Sequence, residues 1–206
     1  MIIKYKFYFH KFKFAFKDSI DITQNSMKNN KFKIIFLMNW TWNNSTQVIF
    51  GPNTVKEYLS HFIQGHTRIL CIFGQGSIDR NGSRQDLEDA LRPLDCDIRW
   101  EGGVSPSPEY DRLVEIVNVA NEFKPDFLIA IGGGSVIDAT KFIAIASKLP
   151  HGTNLWEHVC VMQNAKDECI PFGTIPTYSA TGTEWNNQFN IERRSIQWKS
   201  TINSFQ

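Results

Sequence analysis

The stretch Asp126-Phe-Leu-Ile-Ala-Ile-Gly-Gly-Gly-Ser-Val-Ile-Asp-Ala-Thr-Lys-Phe-Ile-Ala-Ile-Ala146 decides how the rest of the chain is read. Phe127 to Ile131 is a short apolar run between a proline and three glycines, which suits a strand buried on both faces. From Ser135 the spacing turns helical. Ile137, Thr140, Lys141 and Ala144 fall along one side, and Val136, Ala139, Ile143 and Ala146 along another. A strand that passes through glycines into a helix leaves backbone N–H groups free at the positive end of the helix dipole. Missing Cβ atoms let an anion come close to them. Gly132, Gly133 and Gly134 are therefore read as a cradle for a diphosphate, with Ser135 as the N-cap and Asp138 in the first turn. The competing reading is a tight turn that needs glycine only for its backbone angles.

Working outward, strand and helix patterns alternate from Met38 on. Gln47 to Gly51 is a strand candidate, and Thr54 with Glu57 has the capping-box spacing ahead of Val55, Tyr58, Leu59, Phe62 and Ile63. Arg68 to Phe73 is a second buried strand, ended by Gly74-Gln75-Gly76-Ser77. Ser83 and Asp86 open a helix, Cys96 to Trp100 is a strand, and residues 102–108 form a loop. Tyr110 begins a long amphipathic helix, and Ile170 to Ile175 is a last strand closed by Pro176. This order predicts an α/β fold, a Rossmann-like parallel sheet with helices on both faces. Ligands of such sheets lie beyond the carboxyl ends of the strands, where both glycine-rich turns fall. Gly74 stands where such folds often place a carboxylate for a ribose hydroxyl. With Arg80 near, that favours NADP(H) over NAD(H), and Asp79 argues the other way. The loop Pro176-Thr-Tyr-Ser-Ala-Thr-Gly-Thr-Glu184 is dense in hydroxyls able to bond phosphate or ribose oxygens, or to cap a turn.

Composition bounds the setting. The 206 residues are 42% hydrophobic and 21% charged, and the net charge is +1. That is ordinary for a globular protein and gives no overall pull towards nucleic acid or membrane. No apolar run approaches the roughly 20 residues that span a bilayer. Cys71, Cys96, Cys160 and Cys169 are far apart, which predicts free thiols in a reducing, cytoplasmic setting. Residues 1–37 differ, with eight lysines against two aspartates and phenylalanines loosely interleaved. They are read as a basic extension outside the folded unit, with a nucleic-acid or acidic-surface arm as the alternative. Residues 38–206 are the nucleotide-binding unit.

The Gly-Gly-Gly-Ser-Val-Ile-Asp-Ala-Thr-Lys run, followed by Pro-Thr and Ala-Thr-Gly-Thr-Glu, resembles the iron-containing (group III) alcohol dehydrogenase family. Its superfamily includes dehydroquinate synthase. Phe73-Gly-Gln-Gly-Ser-Ile-Asp-Arg-Asn-Gly82 and Glu101-Gly-Gly-Val-Ser-Pro-Ser-Pro108 look most like the NADPH-dependent butanol dehydrogenase and aldehyde reductase branch. The resemblance implies that Gly133, Gly134 and Ser135 hold the diphosphate and that Asp138 lies near the nicotinamide. It places Thr177, Thr181, Asn186 and Lys199 at cofactor-contacting positions, and Gly74, Gly76 and Ser77 in the turn around the adenosine ribose. The implied reaction is hydride transfer between NADP(H) and an alcohol or aldehyde such as butanol or butanal. A small-molecule substrate follows, with no nucleic acid or membrane partner and with room for a homodimer.

The family usually has glycine at Gln75 and a basic residue at Asp79. Trp185, Gln188 and Asn190 also depart from it, and two amides in a tightly packed region predict a desolvation cost. Family members hold iron or zinc through an aspartate and three histidines on a following helical domain. The sequence reaches Gln206 before those ligands are expected. His10, His61, His66, His151 and His158 show no HxxxH or HxxH spacing. The expectation is the N-terminal, cofactor-binding half of such an enzyme: no metal site, no helical domain, no activity alone. The alternative is a nucleotide-binding half-protein that needs a partner chain.

Overall fold

The computed structural model describes residues 2–6, 46–164, 168–179 and 182–203. The sheet contains β1 (Ile2–Lys6), β2 (Thr46–Phe50), β3 (Arg68–Phe73), β4 (Asp97–Glu101), β5 (Phe127–Gly132) and β6 (Phe172–Pro176) in the order β2-β1-β6-β5-β3-β4. Strands β4, β3, β5 and β6 are parallel neighbours, with Phe73 opposite Ile131 and Gly132 opposite Pro176. The expected parallel core is present. It is extended by β1, which runs antiparallel to both β6 and β2. Residues 2–6 therefore depart from the reading of the whole segment 1–37 as an extension outside the fold, and residues 7–37 lie outside the described ones.

Successive side chains of a strand point to opposite faces, and the two faces of this sheet carry different cores. Leu70, Ile72, Leu128 and Ala130 pack with α4 (Tyr110–Phe123) and α5 (Gly134–Ala146). Ile69, Cys71, Phe127, Ile129 and Ile131 pack with α1 (Thr54–Phe62) and α3 (Ser83–Leu91). Every residue of β5 is buried, as expected for a continuous apolar run covered on both faces. The strand order reverses at β3 and β5. From β3 the chain passes through a short helix, α2 (Ser77–Arg80), and α3 to β4, then returns through α4 to β5 on the other side. The crevice between the carboxyl ends of β3 and β5 is where doubly wound sheets bind ligands.

An antiparallel hairpin, β7 (Gln188–Arg193) and β8 (Trp198–Asn203), was not foreseen as an element. Phe189, Ile191 and Ile202 join the core around α5. This explains why both apolar sides of α5 are buried: one meets the sheet and α4, the other meets the hairpin. The amide cost expected at Gln188 and Asn190 is met by partners. Gln188 is exposed, and its Nε2 donates to Asn203 Oδ1 at 2.8 Å, while Asn190 is half-buried, with Oδ1 accepting from Thr201 Oγ1 at 2.7 Å and Nδ2 donating to Asp138 Oδ2 at 3.4 Å.

One cap differs from expectation, and another was not foreseen. Helix α1 begins at Thr54, but Asn53 in a left-handed conformation is its N-cap, so Thr54 lies one position inside the helix. Glu109 caps α4, with Oε2 accepting from the N–H of Asp111 and Arg112 at 2.9 and 3.3 Å. No helix among the described residues is long and apolar enough to cross a membrane. All four cysteines are free, with Cys71 and Cys160 buried and Cys96 and Cys169 half-buried.

Candidate functional site

The chain leaves β5 through Gly132, whose φ of +155° suits glycine. A Cβ built there would stand 2.7 Å from Val136 Cγ2. Gly133 is extended, with φ −83° and ψ −175°, and is the N-cap of α5. Val136 and Ile137 donate to its carbonyl oxygen at 3.0 and 3.3 Å. Ser135 therefore sits inside the first turn rather than capping it, because Gly133 already terminates the ladder. A Cβ at Gly133 would meet nothing within 4 Å. The open space above Gly133, with the first-turn N–H groups of α5 beside it, fits an anion such as a diphosphate. Ser135 Oγ accepts the Ser107 N–H at 3.3 Å, so its own proton remains to donate elsewhere.

Neighbouring loops close around this turn. Gly103 N–H donates to Gly74 O at 3.0 Å and Val104 N–H to Phe73 O at 3.3 Å, tying the loop after β4 to the end of β3. Arg112 of α4 fastens the same loop: Nε and Nη2 donate to Gly102 O at 3.0 and 2.7 Å, and Nη2 also meets Glu101 at 3.0 Å. Gly76 has φ +93° and precedes Ser77 at the start of α2. Asp79 is paired with Arg84 at 3.4 Å, and Arg84 lies over the Trp100 ring at 4.5 Å. Arg80 is exposed, with no partner among the described residues.

On the other side, Thr177 N–H donates to Gly132 O at 2.9 Å, which places Thr177 beside the glycine turn. Thr181 lies outside the described residues. Asp138 is buried in the second turn rather than the first. Its Oδ1 accepts from Thr183 Oγ1 at 2.5 Å and its Oδ2 from Asn190 N at 3.1 Å. Those two bonds engage both carboxylate oxygens within the protein. Lys199 is exposed on β8, opposite Glu192.

Sequence reasoning missed Lys141, 2% exposed. Its Nζ donates to Thr183 O at 2.6 Å, Thr183 Oγ1 at 3.0 Å, Asn186 O at 3.0 Å, Asn186 Oδ1 at 3.3 Å and Gln188 O at 2.6 Å. The signal was a lysine inside an otherwise apolar helical run, since a buried ammonium requires acceptors. Ser107 and Arg112 were missed as well, and no local pattern marks either of them.

Together these features place glycine turns at the carboxyl ends of β3 and β5, on either side of a strand-order reversal. That arrangement defines the class of doubly wound α/β domains with a ligand crevice at the switch point. Within that class the chain belongs to the iron-containing alcohol dehydrogenase family, whose model matches residues 45–205. It is 32% identical over 169 residues to the NADPH-dependent aldehyde reductase YqhD of Escherichia coli K12, covering 81% of this chain and 42% of that protein. It is 34% identical to the probable NADH-dependent butanol dehydrogenase 2 of Bacillus subtilis, covering 72% of this chain and 37% of that one. The crystal structure of NADH-dependent butanol dehydrogenase A from Thermotoga maritima superposes with a TM-score of 0.74 at 28% identity, covering 81% of this chain and 41% of that one. The chain thus spans about two-fifths of the length of these relatives. Among the described residues no group of three or more His, Cys, Asp or Glu side chains is placed to hold a metal ion.

Proposed function

We propose that this chain binds NADP(H) and supplies the nucleotide side of hydride transfer between an alcohol and an aldehyde. Gly132, Gly133, Gly134 and Ser135 would hold the diphosphate, with Thr177 beside it and Gly74, Gly76 and Ser77 towards the adenosine ribose. The observation that carries this is the open space where a Gly133 Cβ would stand, next to the start of α5. A turn that needed glycine only for its angles would not require it at Gly133, because φ −83° is open to any residue. A bound nicotinamide supplies the hydride exchange itself. What the chain contributes is orientation and charge complementarity.

The preference for NADP(H) rests on two side chains. Asp79 is drawn to Arg84, which lessens its repulsion of a 2′-phosphate, and Arg80 is exposed without a partner among the described residues. Named relatives include both NADPH- and NADH-dependent enzymes, so the preference for NADP(H) is argued from these local charges alone. No step is assigned to a metal, for which the described residues provide no ligand set. We place the protein in the cytoplasm, the nucleotide unit in residues 46–203 with β1 added to its sheet, and turnover of alcohols such as butanol beyond this segment acting alone.

Calorimetric titration of NADPH and NADH into the purified chain tests the proposal. Saturable NADPH binding, weaker for NADH and at least about tenfold weaker in Gly133→Val, is expected. A folded chain that binds neither nucleotide overturns it.

A further inference from the structure

We infer that Lys141 is a positioning residue that sets which way the Asn186 side-chain amide faces, so that its NH2 group is presented to the nicotinamide half of the dinucleotide. The inference rests on the nucleotide reading above and deepens it. Lys141 Nζ at 3.3 Å and Gln188 N at 2.9 Å both donate to Asn186 Oδ1. Two donors converging on one atom require that atom to be the oxygen, so the amide nitrogen is turned the other way. There its bond to Gly182 O is long, at 3.4 Å, and Asn186 is exposed. An amide NH2 has two hydrogens, and at most one is used in this contact.

The lysine is built for this and not for solvent. It is buried on α5, the helix whose first turn forms the anion cradle, and is two turns from Gly134. The Thr183 hydroxyl donates to Asp138 Oδ1 at 2.5 Å, so the Thr183 oxygen is left to accept from Lys141. This relay brings a carboxylate into the same buried network as the ammonium, which moderates the cost of removing the charge from water. The same lysine also grips the carbonyls of Thr183, Asn186 and Gln188. Segment 182–188 is consequently referred to the cradle helix rather than to the sheet. If the adenosine lies over β3, the other half of the dinucleotide extends past β5 towards β6, the side from which this segment comes.

The test is a double-mutant cycle read by titration of NADPH, with 2′,5′-ADP as the adenosine-side control. The four proteins are the full chain, Asn186→Ala, Lys141→Met and the double variant. We expect Asn186→Ala to weaken NADPH about tenfold and to leave 2′,5′-ADP unchanged. Lys141→Met is expected to do the same in the parent and to add nothing in the Asn186→Ala background. Additive effects, or equal losses for both ligands, overturn the inference and mark Lys141 as a fold residue only. A Lys141→Met chain that fails to fold overturns it in the same way. Independently, unchanged NADPH affinity in the exposed-site variant Asn186→Ala overturns it without touching the buried network. Absence of NADPH binding in the parent chain is a different failure, since it removes the nucleotide reading itself.

Discussion

The Ser107 N–H donates to Ser135 Oγ at 3.3 Å across 28 residues of sequence, joining the loop after β4 to the first turn of the helix after β5. Its consequence reaches Arg112, which holds the other end of that loop through Gly102 O and Glu101. The cradle is therefore shaped by a side chain on α4 that has no place in the glycine motif.

Replacing Arg112 by Met keeps most of the apolar stem and removes two charge-assisted bonds to Gly102 O. A loss of about 1–3 kcal/mol in unfolding free energy is expected, since part of the side chain remains solvated. Denaturant titration measures it. Hydrogen exchange should show faster exchange at Gly103 and Val104, whose N–H groups bond Gly74 O and Phe73 O. Unchanged exchange there would detach Arg112 from the loop.

Adjacent glycines in the cradle should respond differently to the same methyl group. Gly132→Ala forces φ +155° on a side-chain residue and drives its Cβ to 2.7 Å from Val136 Cγ2, which is anchored on α5. A destabilisation of about 1–3 kcal/mol is expected. Gly133→Ala has extended backbone and no neighbour within 4 Å, so the gain of about 0.5 kcal/mol through the unfolded chain is set against the poorer N-capping of alanine, and a net loss below about 1 kcal/mol is expected. Thermal unfolding of the two variants side by side checks this. Equal losses would show that the turn needs glycine at both positions for conformation.

Asp126 provides a pH test away from the cradle. Burial pushes its carboxyl up, but the N–H groups of Thr67 and Arg68, the His66 ring and the Thr67 hydroxyl outweigh burial and hold it below the usual range. The contacts are 2.9 and 3.1 Å for the two N–H groups, 3.2 Å for the hydroxyl and 3.6 Å for His66. A depressed folded value means the stabilisation is complete above the ordinary carboxyl value of about 4 and is lost as pH falls through the folded one. Melting temperature of the parent should fall more steeply below about pH 4 than that of Asp126→Asn. Parallel curves would exclude this contribution. The bonds matter because they fasten the start of β5 to β3.

How legible the fold was depended on where the deciding contacts lie. Phe127–Ile131 and the three glycines could be read directly, because burial on both faces and a strand-to-helix turn leave a local pattern. The N-cap was misplaced by two residues, from Gly133 to Ser135, because a glycine cap has no side chain to announce it. Strand β1 was hidden by lysines alternating with apolar residues, a pattern that is read equally well as an extended arm. The hairpin was hidden for another reason. Phe189 and Ile191 alternate with polar residues as a half-buried strand should, but Gln188 and Asn190 suggested unpartnered amides until their partners Asn203, Thr201 and Asp138 were known. Lys141 was visible as a residue and illegible as a partner, since its acceptors lie 42 to 47 residues further on.

Thiol reactivity should follow burial rather than cysteine spacing. Burial pushes the Cys71 thiol far above its ordinary range, with Arg84 opposing and Glu88 adding to the rise. Cys160 is pushed up to about 12 by burial, against a lowering influence from Arg193. The thiolate is the nucleophile, so at about pH 8 Cys160 stays almost wholly in its unreactive thiol form. Cys96 is half-buried, and its thiol is also raised by desolvation and by Asp126 and Asp95. Its Sγ–H donates to His66 O at 3.4 Å, so slow labelling is expected there. Mass spectrometry after a timed pulse of an alkylating reagent should find Cys71 and Cys160 unmodified in the native chain, and all four cysteines modified once it is unfolded. Labelling of Cys71 at the unfolded rate under native conditions would mean that β3 opens to solvent. It would then be unable to form one wall of a lasting nucleotide crevice.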